Sequence, residues 1–286
     1  MNEGIHIFKT SSLIFTALVV CCSLMGRSHA QSSASGKGIE PKTPVDDIRI
    51  TVLYDNNPGR ADLEVAWGFS CILKGADKTI LFDTGGVGSV LLRNMQRLGI
   101  SPEDVDIVVL SHVHRDHVGG LTTLLARNSN VSVYVPMSFP KRIKEEVTAH
   151  GAGVVDVGAP LMVCEGVYST GELSGPAREQ ALIVETAKGG ILITGCAHPG
   201  IVKMSRKAKD LSRGDLFLVM GGFHLGGAGL REIEKIAREL RDLGVVYVGP
   251  CHCSGSTARR VFENVYQKGY LNLGVGSVIA LKDLSS

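Results

Sequence analysis

The run Ser111-His112-Val113-His114-Arg115-Asp116-His117-Val118-Gly119-Gly120, directly after the apolar residues Val108-Val109-Leu110, constrains this chain more than any other stretch. It packs three imidazoles and a carboxylate into six positions, and that density points to a metal site. In an extended segment, residues two apart project to the same side. His112 and His114 can therefore close on one cation from a strand end, while Asp116 and His117 lie past a turn and can reach a second. Neutral imidazole and carboxylate suit zinc, iron or manganese, whereas a calcium cage is built from oxygen alone. The paired glycines then open a helix, so the expected local structure is strand, ligand loop, helix.

Lys9 precedes an apolar stretch from Leu13 to Met25, and Ser28-His29-Ala30 has the small-residue pattern of a cleavage site, so residues 1–30 are expected to be a signal peptide and the protein to be exported, periplasmic or extracellular. A signal anchor is the competing reading, but the stretch is shorter than the ~20 residues of a spanning helix, so no stable membrane insertion is expected after cleavage. Residues 31–46, rich in Ser, Gly and Lys, are expected to form a flexible arm. The remaining residues, 47–286, form one expected domain.

With Lys9, Arg27 and Glu3 removed, 28 basic residues face 27 acidic ones, so no strong field draws the chain to nucleic acid, and a small-molecule substrate is the expected partner. Five cysteines remain, at 71, 164, 196, 251 and 253, an odd number that does not suit a disulfide framework. Cys251 and Cys253 flank His252, but their spacing along a strand is poor for a bond between them.

Strands are expected at 48–54, 69–73, 79–82, 106–110, 131–135, 181–186, 191–194, 216–220 and 245–248, and helices at 90–98, 121–126, 138–150, 201–211, 230–243 and 257–266. Ser138 is the expected cap of the third helix. The class is α/β (α+β): two mixed sheets with helices outside each would bury the apolar strands on one face and the helix stripes on the other.

The motif from His112 to His117, with Leu81-Phe82-Asp83-Thr84-Gly85 upstream, resembles the signature and aspartate turn of the metallo-β-lactamase superfamily. Gly195-Cys196-Ala197-His198-Pro199-Gly200, Gly221-Gly222-Phe223-His224-Leu225 and Pro250-Cys251-His252-Cys253-Ser254-Gly255 resemble the branch containing the archaeal dihydropterin-methyl ribofuranosylaminobenzene phosphate synthases and related metal-dependent hydrolases. The likeness spans about residues 48 to 282 and implies a four-layer αββα sandwich.

Six of the seven histidines left after leader removal, all but His150, lie in Gly-bounded loops after expected strands and would meet at one sheet edge. His150 is a helix-end residue, interacting with the dipole. The metal ligands are expected to be His112, His114, Asp116, His117, His198 and His252. His198 substitutes for a third histidine that superfamily members carry ahead of Ala181, and His252 stands where they supply their last one. Cys196 occupies the position where most superfamily hydrolases place a bridging aspartate; it either binds the second metal or only packs. Asp116 and His224 are the catalytic candidates, with His224 as ligand, general acid or substrate donor and a pocket role favoured. Asp83 should orient a ligand imidazole through its ring N–H. Lys203, Arg206 and Lys207 are expected on a solvated surface, with a phosphate-binding role open for Lys203.

The cofactors would be two divalent ions, zinc first, with manganese or iron as alternatives. They would lower the pKa of a bridging water and create a hydroxide nucleophile, giving hydrolysis of an ester, lactone, amide or phosphoester. Two alternatives stand beside this: a transferase joining a pterin methyl group to a ribosylated aminobenzene phosphate, and a non-catalytic metal-binding member of the fold.

Overall fold

The computed structural model describes Met1, Val45 and residues 47–285, so the expected leader and nearly all of the arm lie outside the described residues. The elements all fall within the compact unit Gly38–Ser286. β1 (Arg49–Tyr54), β2 (Ser70–Lys74) and β3 (Ile80–Phe82) form an antiparallel meander. After α1 (Gly88–Arg97), β4 (Ile107–Val109) lies parallel to β3. Two short helices, α2 (Arg115–Val118) and α3 (Leu121–Leu125), lead to β5 (Ser132–Pro136), α4 (Lys141–Ala149) and β6 (Gly153–Val157), which continue the parallel side.

The second sheet starts with β7 (Leu161–Cys164), β8 (Val167–Ser169), β9 (Leu182–Thr186) and β10 (Gly189–Thr194), all antiparallel neighbours. It then turns parallel through α5 (Ile201–Leu211), β11 (Leu216–Gly222), α6 (Leu230–Asp242) and β12 (Tyr247–Cys251). α7 (Ser256–Tyr266) precedes β13 (Val278–Ala280), which returns to pair with β1. The strand orders are β13-β1-β2-β3-β4-β5-β6 and β12-β11-β10-β9-β8-β7.

The period-2 alternation of the strands decides the layers. Ile80, Phe82, Ile107 and Val109 meet Leu182, Val184, Ile191 and Ile193 between the sheets. Leu81 and Val108 turn outward onto Leu91 and Met95 of α1, Leu124 of α3 and Val147 of α4. On the other side Ile183, Leu192 and Val219 pack beneath Met204 of α5, Ala237 of α6 and Phe262 of α7. Each large side chain fully buried this way contributes about 1.5–3 kcal/mol. This is the expected αββα sandwich, and the mixed sheets position the site: β3 and β4 in one, and β10, β11 and β12 in the other, send their carboxyl ends to one shared edge.

Ser138 does not cap α4, which starts at Lys141 after Pro140; proline disfavours helical backbone at the residue before it, so the helix cannot begin at 138. The Ser138 N–H donates instead to Glu172 Oε2 at 2.7 Å. The last long strand runs Tyr247–Cys251, not 245–248, because the N–H of Val245 is spent on the carbonyl of Leu240, closing off α6. Pro250 is tolerated there because β12 is an edge strand. Short β6, β7, β8 and β13 were not anticipated, nor was α2, which was expected as a turn.

Candidate metal centre

Six imidazoles converge on the shared edge. His112 follows β4, His114 precedes α2 and His117 lies in it; His198, His224 and His252 follow β10, β11 and β12. Neighbouring ring centroids lie 4.1 Å apart for His112 and His117, 4.5 Å for His112 and His198, 4.4 Å for His198 and His224, and 5.0 Å for His117 and His252.

Their orientation follows from what holds the opposite ring nitrogen. Asp83, at the end of β3, accepts the N–H of Ser111 at 2.7 Å, the Ser111 hydroxyl at 2.7 Å and the Nδ1–H of His117 at 2.7 Å. Ser111 Oγ, having donated to Asp83, accepts from His112 Nδ1 at 2.9 Å. Glu179 Oε2 accepts from His198 Nδ1 at 2.9 Å. Asn56 clamps His252: its Nδ2 donates to the His252 carbonyl and its Oδ1 accepts from the ring Nδ1 at 2.8 Å. With four Nδ1 protons committed in this way, each Nε2 is left as a bare lone pair.

Those lone pairs face one another. His117 Nε2 and His252 Nε2 are 3.2 Å apart, and His112 Nε2 lies 3.1 Å from His114 Nδ1. Asp116 Oδ2 completes the second set at 3.2 Å from His252 Nε2 and 3.6 Å from His117 Nε2. A tetrahedral ion bound by imidazole separates its ligand atoms by about 3.3 Å. The donor chemistry and spacing therefore fit divalent ions. Among the described residues, five overlapping triads have ligand atoms within 4.8 Å of one another, and two of them, His112–His114–His198 and Asp116–His117–His252, share no residue and together take up all six expected ligands. Cys196 sits between them, its Sγ 3.2 Å from His117 Nε2.

The charge states suit a cation. Burial, then the neighbouring His252, push the His117 imidazole down to about 3, and burial holds His112 well below its usual value. Burial alone would raise Asp116, but the adjoining His252 and His117 rings hold it below the ordinary carboxylate range. Glu179 is likewise lowered to about 2, against its burial, by the His198 ring, His112 and backbone N–H groups. Neutral imidazole beside ionised carboxylate is the ligand form.

Of the five non-glycine residues with left-handed backbone among the described residues, Asp83, Ala197, His224 and His252 belong to this site. Such strain costs about 1–3 kcal/mol per residue and concentrates where geometry serves function. Asp55 helps hold it, accepting the His252 N–H at 3.1 Å.

The structure thus brings together all six expected ligands. His224 lies exposed at the rim against His198, and Asp83 orients His117 as expected. His150 is remote and its Nδ1 donates to the Glu146 carbonyl at the end of α4. Lys203 is tied to the Ser174 carbonyl and Arg206 to Glu239. Sequence reasoning missed Glu179, Asn56, Asp55 and the supporting role of Ser111. The only signal for Glu179 was a carboxylate ahead of an otherwise apolar strand, and Asn56 sits in Asp55-Asn56-Asn57-Pro58, which looks like an ordinary turn.

The family profile described as the Metallo-beta-lactamase superfamily matches residues 68–252. A 7,8-dihydropterin-6-methyl-4-(beta-D-ribofuranosyl)-aminobenzene-5'-phosphate synthase from Methanocaldococcus jannaschii is 28% identical over 285 residues, covering 82% of this chain and 97% of that one. The crystal structure of Tm1679, a metal-dependent hydrolase of the beta-lactamase superfamily, superposes with a TM-score of 0.66 at 28% identity over 81% of this chain and 98% of the other. Human tRNase Z, short form, shares the fold at a TM-score of 0.55 and 14% identity, covering 82% and 99%.

Proposed function

The chain belongs to the metallo-beta-lactamase superfamily, and within it we propose an exported binuclear hydrolase that acts on an ester, lactone, amide or phosphoester. The observation that carries this reading is the pair of donor triads whose lone pairs face one another while the opposite ring nitrogens of His112, His117, His198 and His252 are held. His112, His114 and His198 would hold one ion, and Asp116, His117 and His252 the other; zinc fits these donors best. Bound there, two divalent ions supply Lewis acidity towards a substrate carbonyl or phosphoryl oxygen and raise the acidity of water.

The chain's own groups do the rest. Asp116, half-buried and ionised, presents a carboxylate oxygen that orients the attacking water and receives its proton. His224, exposed at the rim beside His198, delivers a proton to the leaving group. Asp83, Ser111, Glu179 and Asn56 prevent the ligand rings from rotating between turnovers. Tm1679, a metal-dependent hydrolase, supports the reaction class by its similarity over 81% of this chain.

A second reading has its own support: the similarity to the Methanocaldococcus synthase over 97% of that protein favours a group transfer onto an aminobenzene acceptor. Elemental mass spectrometry on protein purified without added metal should find close to two ions per chain. Turnover of an ester, lactone and phosphoester panel in 18O water should then place the label in the product. One ion or none, or transfer without label, defeats the hydrolase. Export predicts a secreted form beginning at Gln31, read by amino-terminal sequencing; a form retaining Lys9 at the membrane contradicts it.

A further inference from the structure

Cys196 and Cys253 reach one point from two strand ends, and neither is used by the two triads. Cys196 follows β10, its N–H held by Glu179 Oε1 at 2.9 Å. Cys253 follows β12, half-buried, its Sγ against the Cys196 carbonyl at 3.7 Å. Gly222 at the end of β11 makes the approach possible: a Cβ there would fall 2.7 Å from Cys253 Sγ and 3.1 Å from Cys196 Cα. Three parallel strand ends thus cooperate to leave two sulfurs side by side.

A nitrogen completes the set. The ligand atoms of Cys196, His252 and Cys253 all lie within 4.8 Å of one another. A tetrahedral zinc with two thiolates and an imidazole asks for about 3.8 Å between sulfurs and about 3.6 Å from sulfur to nitrogen, so small side-chain rotations close it. The asparagine clamp on His252 Nδ1 leaves Nε2 as the donor here too.

We propose that Cys196, His252 and Cys253 form a separate thiolate site for a thiophilic divalent ion, sharing His252 with the Asp116–His117 pair. It goes beyond the hydrolase reading and does not depend on it. As the ion binds, each thiol releases its proton to solvent and no electron moves. Soft sulfur donors select cadmium, whereas the set with Asp116 accepts zinc and harder ions such as manganese. Because His252 has one free nitrogen, an ion on the sulfur set and an ion on the Asp116 set exclude each other. The identity of the metal therefore decides which position is filled. The other described cysteines do not compete: Cys71, Cys164 and Cys251 are buried in the core between the sheets.

The test is a cadmium titration of the full chain, stripped by chelator, followed by the ultraviolet sulfur-to-cadmium charge-transfer band, with circular dichroism confirming the fold of every variant. In wild type the band should saturate at one sulfur-bound ion per chain. It should fall about two-fold in Cys253→Ser and in Cys196→Ser and vanish in the double variant, because each supplies one of two thiolates. Asp116→Asn and His112→Ala should keep it. Loss of an ion in His112→Ala with the band intact separates the fate of the hydrolase reading from this one. No band in wild type, or a band surviving the double replacement in a folded chain, overturns the site.

Discussion

A chain carrying His252→Ala is expected to hold one divalent ion against the two proposed for the wild type, and to lose at least about 100-fold in turnover while keeping its fold. His252 Nε2 stands 3.2 Å from both His117 Nε2 and Asp116 Oδ2, so its removal leaves two donors at that position. Even partners that only orient a ligand cost about 10–100-fold in affinity or activity when lost, and a ligand itself costs more. The stability cost should be moderate, about 1–3 kcal/mol, because the ring is itself only 2% exposed and its loss leaves Asn56 Oδ1 without its partner, although Trp67 beside it is exposed. Asn56→Ala should give a graded version, with the second ion retained but bound about 10–100-fold more weakly, since it frees His252 Nδ1 without deleting the ligand. Elemental analysis with steady-state kinetics checks both. Two ions and unchanged turnover in His252→Ala would remove Asp116 and His117 from the catalytic account as well.

Legibility in the sequence tracked how local each constraint is. The run from Ile107 to Gly120 carries its strand, its ligands and its helix-opening glycines in fourteen positions, and alternation or helical spacing marked α5 and the β9–β10 hairpin closely. The gathering of His198, His224 and His252 was readable because each follows a strand running the same way in one sheet. What stayed hidden was non-local. β13 is three residues long and exists because β1 offers it an edge, and β7 and β8, of four and three residues, are short pieces closing the second sheet. Asn56 meets His252 across 196 positions, and nothing in an Asp-Asn-Asn-Pro turn announces such a partner. Ser138 looked like a cap until Pro140 imposed its own geometry on the residue before it.

Glu179→Ala is expected to be the most destabilising single change near the centre, at about 3–5 kcal/mol, with a fall of about 10 °C in melting temperature. The carboxylate accepts three buried backbone N–H groups, of Cys196 at 2.9 Å, Ala197 at 2.8 Å and His198 at 2.9 Å, and holds the left-handed turn at Ala197. Each donor orphaned in a buried site costs about 1–3 kcal/mol. Glu179→Gln separates this scaffold role from metal binding. The glutamine oxygen can still accept from Cys196 and Ala197, but its amide would confront the N–H and the Nδ1–H of His198. Relief requires His198 to move its proton to Nε2, the nitrogen that faces His112 and His114, and a protonated nitrogen cannot ligate. Glu179→Gln should therefore melt closer to wild type than Glu179→Ala, yet bind the first ion about 10–100-fold more weakly while the second is retained. Calorimetry alongside metal titration distinguishes the two variants. Equal melting temperatures, or undiminished affinity in the glutamine variant, would show that Glu179 supports neither the turn nor the tautomer. The residue that sequence reasoning passed over would then have no part in the centre, and His198 would need another anchor.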